Sequence, residues 1–284
     1  MTKELMARWL RKSGWRSVFV LLSVLVWTGC ATPQYDPVSG RHVRNLYTLD
    51  DDIQIGRGVI DNALREFEEQ GIPVNQDLQM LGTLSNMMHR IAAVSHFPDL
   101  PYSVVLVHTN VVNAAAAPGG QLIFWEGLYD PEIGLVQNEN ELAAVMAHEI
   151  AHATARHSTR SMTRAMPMNL VLMAGTVAAS LADRDDLAIW LGAGFILYQG
   201  IVLPRYSRQD EHEADIIGLF YMADAGYDPR AAPAIWRRVN ERERDPGLLR
   251  YLSSHPTHRD RYRELERHLP EALERYERAR NRSD

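Results

Sequence analysis

Apolar residues recur every three or four positions along several stretches of this chain, the spacing typical of amphipathic helices. Two such stretches follow Leu49: DDIQIGRGVIDNALREFEEQG at 51–71 and DLQMLGTLSNMMHRIAAVS at 77–95. A third helix is predicted to carry ELAAVMAHEIAHATARH, because Asn138 can cap it and Glu141 lies three residues on, as in a capping box. The charged segment 259–284 predicts one or two surface helices.

Two short segments have the composition of strands. β-Branched residues predict a strand in YSVVLVHT at 102–109, and QLIFWEGL at 121–128 predicts a second one. Between them, NAAAAPGG at 113–120 is typical of a turn or loop. We therefore expect an α+β fold that is mostly helical, with a small sheet beside the third helix.

The first 29 residues differ from the rest of the chain. MTKELMARWLRKSGWR is basic, SVFVLLSVLVW is an apolar run of signal-peptide length, and small residues precede Cys30. We expect residues 1–29 to be a lipoprotein signal peptide and Cys30 to be lipidated, although Trp27 stands where such signals usually carry leucine. A chain anchored by lipid needs no membrane-spanning helix. Residues 30–48, rich in turn formers, predict a tether.

Composition narrows the range of partners. Hydrophobic residues make up 46% of the chain and charged residues 23%, which are ordinary values for a globular protein. The net charge is −6, and no basic stripe indicates a nucleic-acid partner. The single cysteine excludes an internal disulfide bond.

The segment HEIAH carries candidate chemistry. On a helix, His148 and His152 lie on one face and can bind the same zinc ion, while Glu149 can act as general base toward a water molecule. Two incidental histidines on a helix are the alternative interpretation. The metzincin spacing would require a third histidine at position 158, which is Ser158, and His157 faces away if the helix continues.

A catalytic zinc site needs a third protein ligand and an open position. The acidic segment YSRQDEHEADIIGLF, at 206–220, is the obvious source of a carboxylate, and a solvated acidic surface is the alternative. The spacing favours Glu211 as the ligand, with Asp215 one turn later accepting a hydrogen bond from the outer N–H of a ligating histidine. Asp210 and Glu213 are predicted to be solvated surface charges.

Four segments resemble the gluzincin zinc metallopeptidases, the family of the CAAX prenyl proteases, HtpX, the Oma-type protease and the periplasmic LoiP- and BepA-like lipoprotein proteases. HEIAH matches the zinc helix, SRQDEHEAD the Ser-Arg-x-x-Glu-x-x-Ala-Asp motif, NAAAAPGG the Asn-Ala-x-x-x-Pro-Gly-Gly motif, and LSSHPTHRDRY the Ser/Thr-His-Pro segment. The resemblance implies a zincin-like domain over residues 49–284 and one catalytic Zn²⁺ ion held by His148, His152 and Glu211. The sequence departs from two family members: we expect no tetratricopeptide domain, unlike in BepA-type enzymes, and no clear membrane spans around the catalytic helix, unlike in HtpX.

Further site residues follow from these segments. His255 has three interpretations. It can donate a hydrogen bond to a developing oxyanion, or it can be an ordinary loop histidine. The resemblance to BepA-type enzymes implies instead that it binds the metal in a resting state. An exposed edge of strand 121–128 would bind an extended peptide by strand addition, with Gly119 and Gly120 in the turn that aims it. Asn113 is a further candidate for substrate binding. The alternatives are an ordinary core strand at 121–128 and a loop-capping role for Asn113.

The apolar, Gly-rich segment 168–203 has three interpretations: a helical lid over the cleft, a core hairpin, or a membrane-associated pair of helices.

The expected function is that of a zinc metalloendopeptidase in the periplasm, anchored by lipid. Ala31, with no aspartate after Cys30, resembles enterobacterial lipoproteins of the outer membrane. The family resemblance implies unfolded or misassembled envelope proteins as substrates. The alternative is a periplasmic chaperone or assembly scaffold with zinc in a structural role, against which Glu149 argues, since a structural site needs no general base.

Overall fold

The computed structural model describes residues 33–166, 206–242 and 260–283, together with positions 176, 180, 245, 248, 251 and 255. The predicted signal peptide, Cys30 and nearly all of segment 168–203 lie outside the described residues, so these predictions stay predictions. The chain divides into two compact units. One comprises Met1–Gln34, His42–Leu46 and Met162–Leu203, and the other comprises Tyr35–Arg41, Tyr47–Ser161 and Pro204–Asp284.

In the smaller unit, Thr163 joins two segments of the chain. Its hydroxyl accepts from the backbone N–H of Leu46 at 3.1 Å and donates to the side chain of Asn45 at 3.3 Å. Every candidate site residue that the structure describes belongs to the larger unit.

The three helices predicted in the first half of the chain are confirmed. Helix α1 spans Leu49–Glu69, α2 spans Leu78–Ala92 and α3 spans Glu139–Thr154. The side chains of Thr48, Asp77 and Asn138 cap them. The capping box of α3 forms only in part, because the Glu141 carboxylate accepts from the backbone N–H of Gln137 and pairs with Arg238 at 2.8 Å.

The second half of the larger unit is also helical. Helix α4 spans Arg208–Asp224, α5 spans Ala231–Glu241, and α6 spans Asp260–Ser283 with Pro270 inside it. The predicted charged C-terminal segment therefore forms one helix. Among the described residues, no helix combines the length and hydropathy that crossing a bilayer requires.

The described part of the chain contains five short strands. β1 (Gln34–Asp36) and β2 (Arg41–Val43) pair with each other inside the predicted tether. β3 (Ser103–Val107), β4 (Ala114–Ala117) and β5 (Gln121–Trp125) form a sheet in the order β3-β5-β4. β3 runs parallel to β5, with Ser103 opposite Gln121, and β4 runs antiparallel to it, with Ala114 opposite Phe124.

Two predictions about this sheet are wrong. The alanine run is the strand β4, not a loop, because pairing with β5 overrides the weak strand propensity of alanine. The strand predicted at 121–128 ends at Trp125 and is central, with a partner on each side, so it offers no exposed edge. Within the described residues, β3 and β4 are the outer strands of this sheet, and β4 packs against α3.

Close packing of α3 on α4 positions the site. Helix α3 is buried along nearly its whole length, so its histidines face protein on every side. Gly218 of α4 lies so near α3 that a Cβ atom there would be 2.9 Å from the backbone nitrogen of His148. The missing side chain lets the two helices approach closely enough for their polar side chains to meet.

Candidate metal centre

Four buried side chains converge between α3 and α4. His148 and His152 come from α3, Glu211 from α4, and His255 from a single described position after α5. One donor atom of each lies within 4.8 Å of the other three, and none of the four residues is more than 6% exposed. The structure thus brings together the three predicted ligands and adds His255 to them.

The donor separations match those around a tetrahedral zinc ion. The Nε2 atoms of His148 and His152 are 3.0 Å apart, and the Glu211 carboxylate lies 3.5 Å from the first and 3.3 Å from the second. His255 Nδ1 is 3.4 Å from His148 Nε2 and 3.2 Å from Glu211 Oε1. Four ligands about 2.0–2.1 Å from a central ion lie about 3.3 Å from one another. Imidazole and carboxylate donors are also those that zinc prefers.

Burial and charged neighbours shift the pKa values of the predicted ligands. Burial alone would raise the pKa of Glu211, but Arg261 and the neighbouring histidines outweigh it and hold that pKa well below its usual range. Burial would lower the pKa of His148, but Asp215 and Glu211 outweigh it and raise it to about 9. Burial lowers the pKa of His152 well below its usual value. Glu211 and His152 are therefore in the forms that bind a metal ion, whereas His148 has to release a proton on binding one.

Asp215 lies on the outer side of His148. Its Oδ1 atom lies 3.1 Å from Nδ1 of His148, the nitrogen that faces away from the four donors. Arg261 holds both oxygens of Asp215, at 2.6 and 2.7 Å, and its Nη1 lies 2.6 Å from Glu211. Arg261 follows the His-Pro pair by several residues, where the family that the chain resembles often has an arginine, which is only a weak indication of a role.

Glu149 lies beside the group with its carboxylate fully buried. Its Oε1 atom is 3.3 Å from Nε2 of His255. Within the described residues neither oxygen makes a hydrogen bond of good geometry, although the backbone of Ala116 in β4 is near enough to lower its pKa. Burial has the larger effect and raises the pKa of Glu149, which makes the carboxylate a better proton acceptor.

Asp210 and Glu213 are not the solvated charges that the sequence predicts. They are only 2% and 4% exposed. Asp210 forms a capping box with Ser207 at the start of α4. Glu213 lies between Arg160 and Arg41, at 3.2 and 3.1 Å. Both arginines are far away in the sequence, so the spacing within the acidic segment could not reveal them.

Two residues next to His152 were missed by the sequence interpretation. The ring of Tyr206 stacks on His152 with 3.7 Å between ring centroids, and its hydroxyl donates to the carbonyl of Ala116 at 3.2 Å. Nδ1 of His157 lies 2.8 Å from Nδ1 of His152. His157 was predicted to face away, but α3 ends at Thr154 and a turn brings His157 back.

The predicted substrate-binding residues lie outside the four-donor group. Gly119 and Gly120 have φ of 73° and 89°, and a Cβ atom on either would collide, with Ile53 in the first case and Tyr102 in the second. Backbone conformation and packing therefore account for both glycines. Asn113 is buried just before β4, and its carbonyl accepts from the backbone N–H of Trp125. A role of these residues in substrate binding stays a prediction.

Comparison with known proteins relates this site to a group of peptidases. The family model of Peptidase family M48 matches residues 79–269. Mitochondrial metalloendopeptidase OMA1 of Schizosaccharomyces pombe is 33% identical over 240 residues, covering 84% of this chain and 67% of the relative.

Bacterial relatives include a putative β-barrel assembly-enhancing protease of Vibrio cholerae, which is 30% identical over 244 residues, or 81% of this chain and 47% of the relative. The β-barrel assembly-enhancing protease of Escherichia coli is 27% identical, over 73% of this chain and 41% of the relative. The chain spans about half the length of several of the curated relatives that it matches, and about a third of others.

Proposed function

The chain belongs to peptidase family M48, and from this membership we propose that it is a zinc-dependent metalloendopeptidase of the bacterial envelope. One observation carries the proposal: a buried group of His148, His152, Glu211 and His255 has the donor spacing of a zinc site, and the carboxylate of Glu149 lies beside it.

In this proposal His148 and His152 bind one zinc ion through Nε2, and Glu211 binds it through its carboxylate. When bound, the ion supplies Lewis acidity toward a water molecule and toward the carbonyl of the scissile peptide bond. Glu149 accepts a proton from the attacking water on its buried carboxylate and returns it to the leaving amine. Asp215 accepts a hydrogen bond from the Nδ1–H of His148 and so orients that imidazole.

His255 fills the fourth place among the donors. Its Nδ1 faces Glu211 at 3.2 Å and its Nε2 faces Glu149 at 3.3 Å, so the imidazole stands between the ligand and the base. A catalytic zinc site keeps its fourth position open. We therefore propose that this arrangement is a resting state, and that His255 must withdraw before a peptide bond can reach Glu149.

We propose misfolded or misassembled envelope proteins as substrates, and a periplasmic location with a lipid anchor on Cys30 at the outer membrane. The names of the bacterial relatives, β-barrel assembly-enhancing proteases, support the substrate class. The basic and apolar N-terminal segment before Cys30 supports export. Labelling with a palmitate analogue tests the anchor: wild type should be labelled, and equal labelling of Cys30→Ala would contradict it.

A scaffold or chaperone with structural zinc is the second candidate. Four protein donors around one point favour it, because structural zinc sites are closed in this way. The buried carboxylate of Glu149 favours the enzyme, because a structural site gains nothing from a base held at 3.3 Å from a fourth ligand.

A Glu149→Gln variant separates the two candidates. We expect it to keep one zinc ion per chain and to lose cleavage of unfolded casein by about 10²–10⁴-fold. Glu139→Gln, an exposed position on the same helix, is the matched control and should cleave like the wild type. Full zinc-dependent cleavage by Glu149→Gln would refute its role as base. Absence of zinc-dependent cleavage by wild type, with full complementation of a deletion strain by Glu149→Gln, would establish the scaffold instead.

A further inference from the structure

His152 has a second polar contact, on the side away from the four donors. Its Nε2 faces His148 and Glu211, and its Nδ1 lies 2.8 Å from Nδ1 of His157. Both rings are almost completely buried, at 1% and 0% exposure. A histidine that binds a metal through Nε2 carries its proton on Nδ1. The short contact therefore requires Nδ1 of His157 to be the acceptor.

A break in the helix brings His157 to this position. Helix α3 ends at Thr154, and Arg156 adopts a left-handed conformation with φ of 57° before a helical segment resumes at 157–166. The guanidinium of Arg156 holds both carboxylate oxygens of Asp52, at 2.5 and 3.1 Å, and donates to the carbonyl of Tyr47 at 2.7 Å. These contacts compensate for the cost of the left-handed backbone.

Acceptance at Nδ1 fixes the tautomer of His157. Its proton then lies on Nε2, which makes no hydrogen bond among the described residues and faces Glu213 Oε2 at 3.8 Å. The Glu213 carboxylate also pairs with Arg160 and Arg41, at 3.2 and 3.1 Å. A carboxylate held between two arginines is an anion, and it favours a proton on the nearer nitrogen of His157.

We propose that His157 is a positioning residue of the metal centre: its Nδ1 accepts a hydrogen bond from the Nδ1–H of His152 and, with Glu213 orienting the ring of His157, holds the His152 imidazole in the tautomer that binds zinc. The inference rests on the proposed function. Its distinctive feature is an imidazole acceptor: His148 reaches the carboxylate of Asp215 directly, whereas His152 reaches that of Glu213 through a second histidine. Both carboxylates come from α4, two positions apart.

Two substitutions at this position separate acceptance from packing. His157→Asn keeps an oxygen acceptor near the place of Nδ1 but loses ring volume. His157→Phe keeps ring volume but leaves the buried N–H of His152 without an acceptor. We expect His157→Phe to weaken zinc binding about 10–100-fold, and His157→Asn to stay within about threefold of wild type. The zinc dissociation constant is measured by competition with a chromophoric chelator, beside an unfolding curve of each zinc-free variant.

Unchanged zinc affinity in His157→Phe would overturn the proposal. Equal weakening in both variants would also overturn it, because the acceptor of the asparagine would then give no advantage. Loss of packing alone predicts that the asparagine is the worse replacement. Nitrogen-15 spectra of histidine-labelled, zinc-loaded wild type supply a test that needs no variant. His157 should show a protonated Nε2 and a bare Nδ1, and a protonated Nδ1 would contradict the proposal. Failure of wild type to bind zinc would instead refute the proposed function.

Discussion

Replacing Glu213 with glutamine removes a negative charge from a carboxylate that the sequence alone places at the surface. The side chain is 4% exposed and lies 3.2 Å from Arg160 and 3.1 Å from Arg41. Arg160 is itself buried, with 8% exposure. The substitution therefore leaves a buried cation with less compensation, which is more costly than breaking an exposed pair.

The size of the effect follows from the pKa of Glu213, which falls from 4.5 to about 2 on folding because His157 and Arg160 outweigh the effect of burial. At about 1.36 kcal/mol per pKa unit, the ionised carboxylate stabilises the folded state by on the order of 3 kcal/mol at neutral pH. The pKa is depressed in the folded state, so this stability is present above pH 4.5 and is lost as the pH falls toward about 2. About 1.4 kcal/mol should be gone at about pH 3.5.

Urea unfolding of the zinc-free protein measures this difference without interference from metal release. Wild type should exceed Glu213→Gln by about 3 kcal/mol near pH 7, and the gap should narrow as the pH falls toward about 3.5. Glu271→Gln is the matched control, because Glu271 forms an exposed pair with Arg275 and should change stability by less than about 1 kcal/mol. A gap near zero at pH 7, or one that is independent of pH, would refute the buried ion-pair network.

Three further substitutions probe the rest of the site. Asp215→Ala should weaken zinc binding about 10–100-fold, because His148 loses the acceptor of its outer N–H. Chelator competition measures the affinity, and a wild-type value would contradict this prediction. Gly218→Ala should cost about 1–3 kcal/mol in urea unfolding, since the new Cβ would lie 2.9 Å from the backbone of His148, and unchanged stability would disprove the tight helix contact. His255→Ala should keep zinc and cleave unfolded casein faster than wild type, because it uncovers Glu149; retained zinc with lost cleavage would show that His255 instead stabilises the transition state.

The helices and the ligand pattern could be predicted because both depend on local spacing. Caps such as Thr48 and Asn138 lie next to the helices that they begin, and the four-residue spacing of His148 and His152 places them on one helical face. The four-residue spacing of Glu211 and Asp215 likewise places both side chains on one face of α4. On that face Glu211 lies near His152 and Asp215 near His148.

The features that were missed depend on partners far away in the sequence. The alanine run becomes β4 only because β5 pairs with it, and β5 is central only because β3 lies on its other side. Glu213 is buried because Arg160, 53 positions away, meets it. His157 faces the metal group because Asp52, 104 positions from Arg156, anchors the turn that ends α3. None of these contacts leaves a periodic signal in the sequence.

The most direct test of the proposed metal centre is the zinc content of purified wild type and of Glu211→Ala after dialysis, measured by mass spectrometry of the metal. Wild type should hold one zinc ion per chain, and Glu211→Ala roughly a tenth of that or less, because the three remaining imidazoles carry no negative charge and the buried Arg261 loses the carboxylate that separates its charge from the ion. Glu271→Ala, an exposed carboxylate, should match the wild type. A full complement of zinc in Glu211→Ala, or no zinc in wild type, would contradict the proposed metal centre.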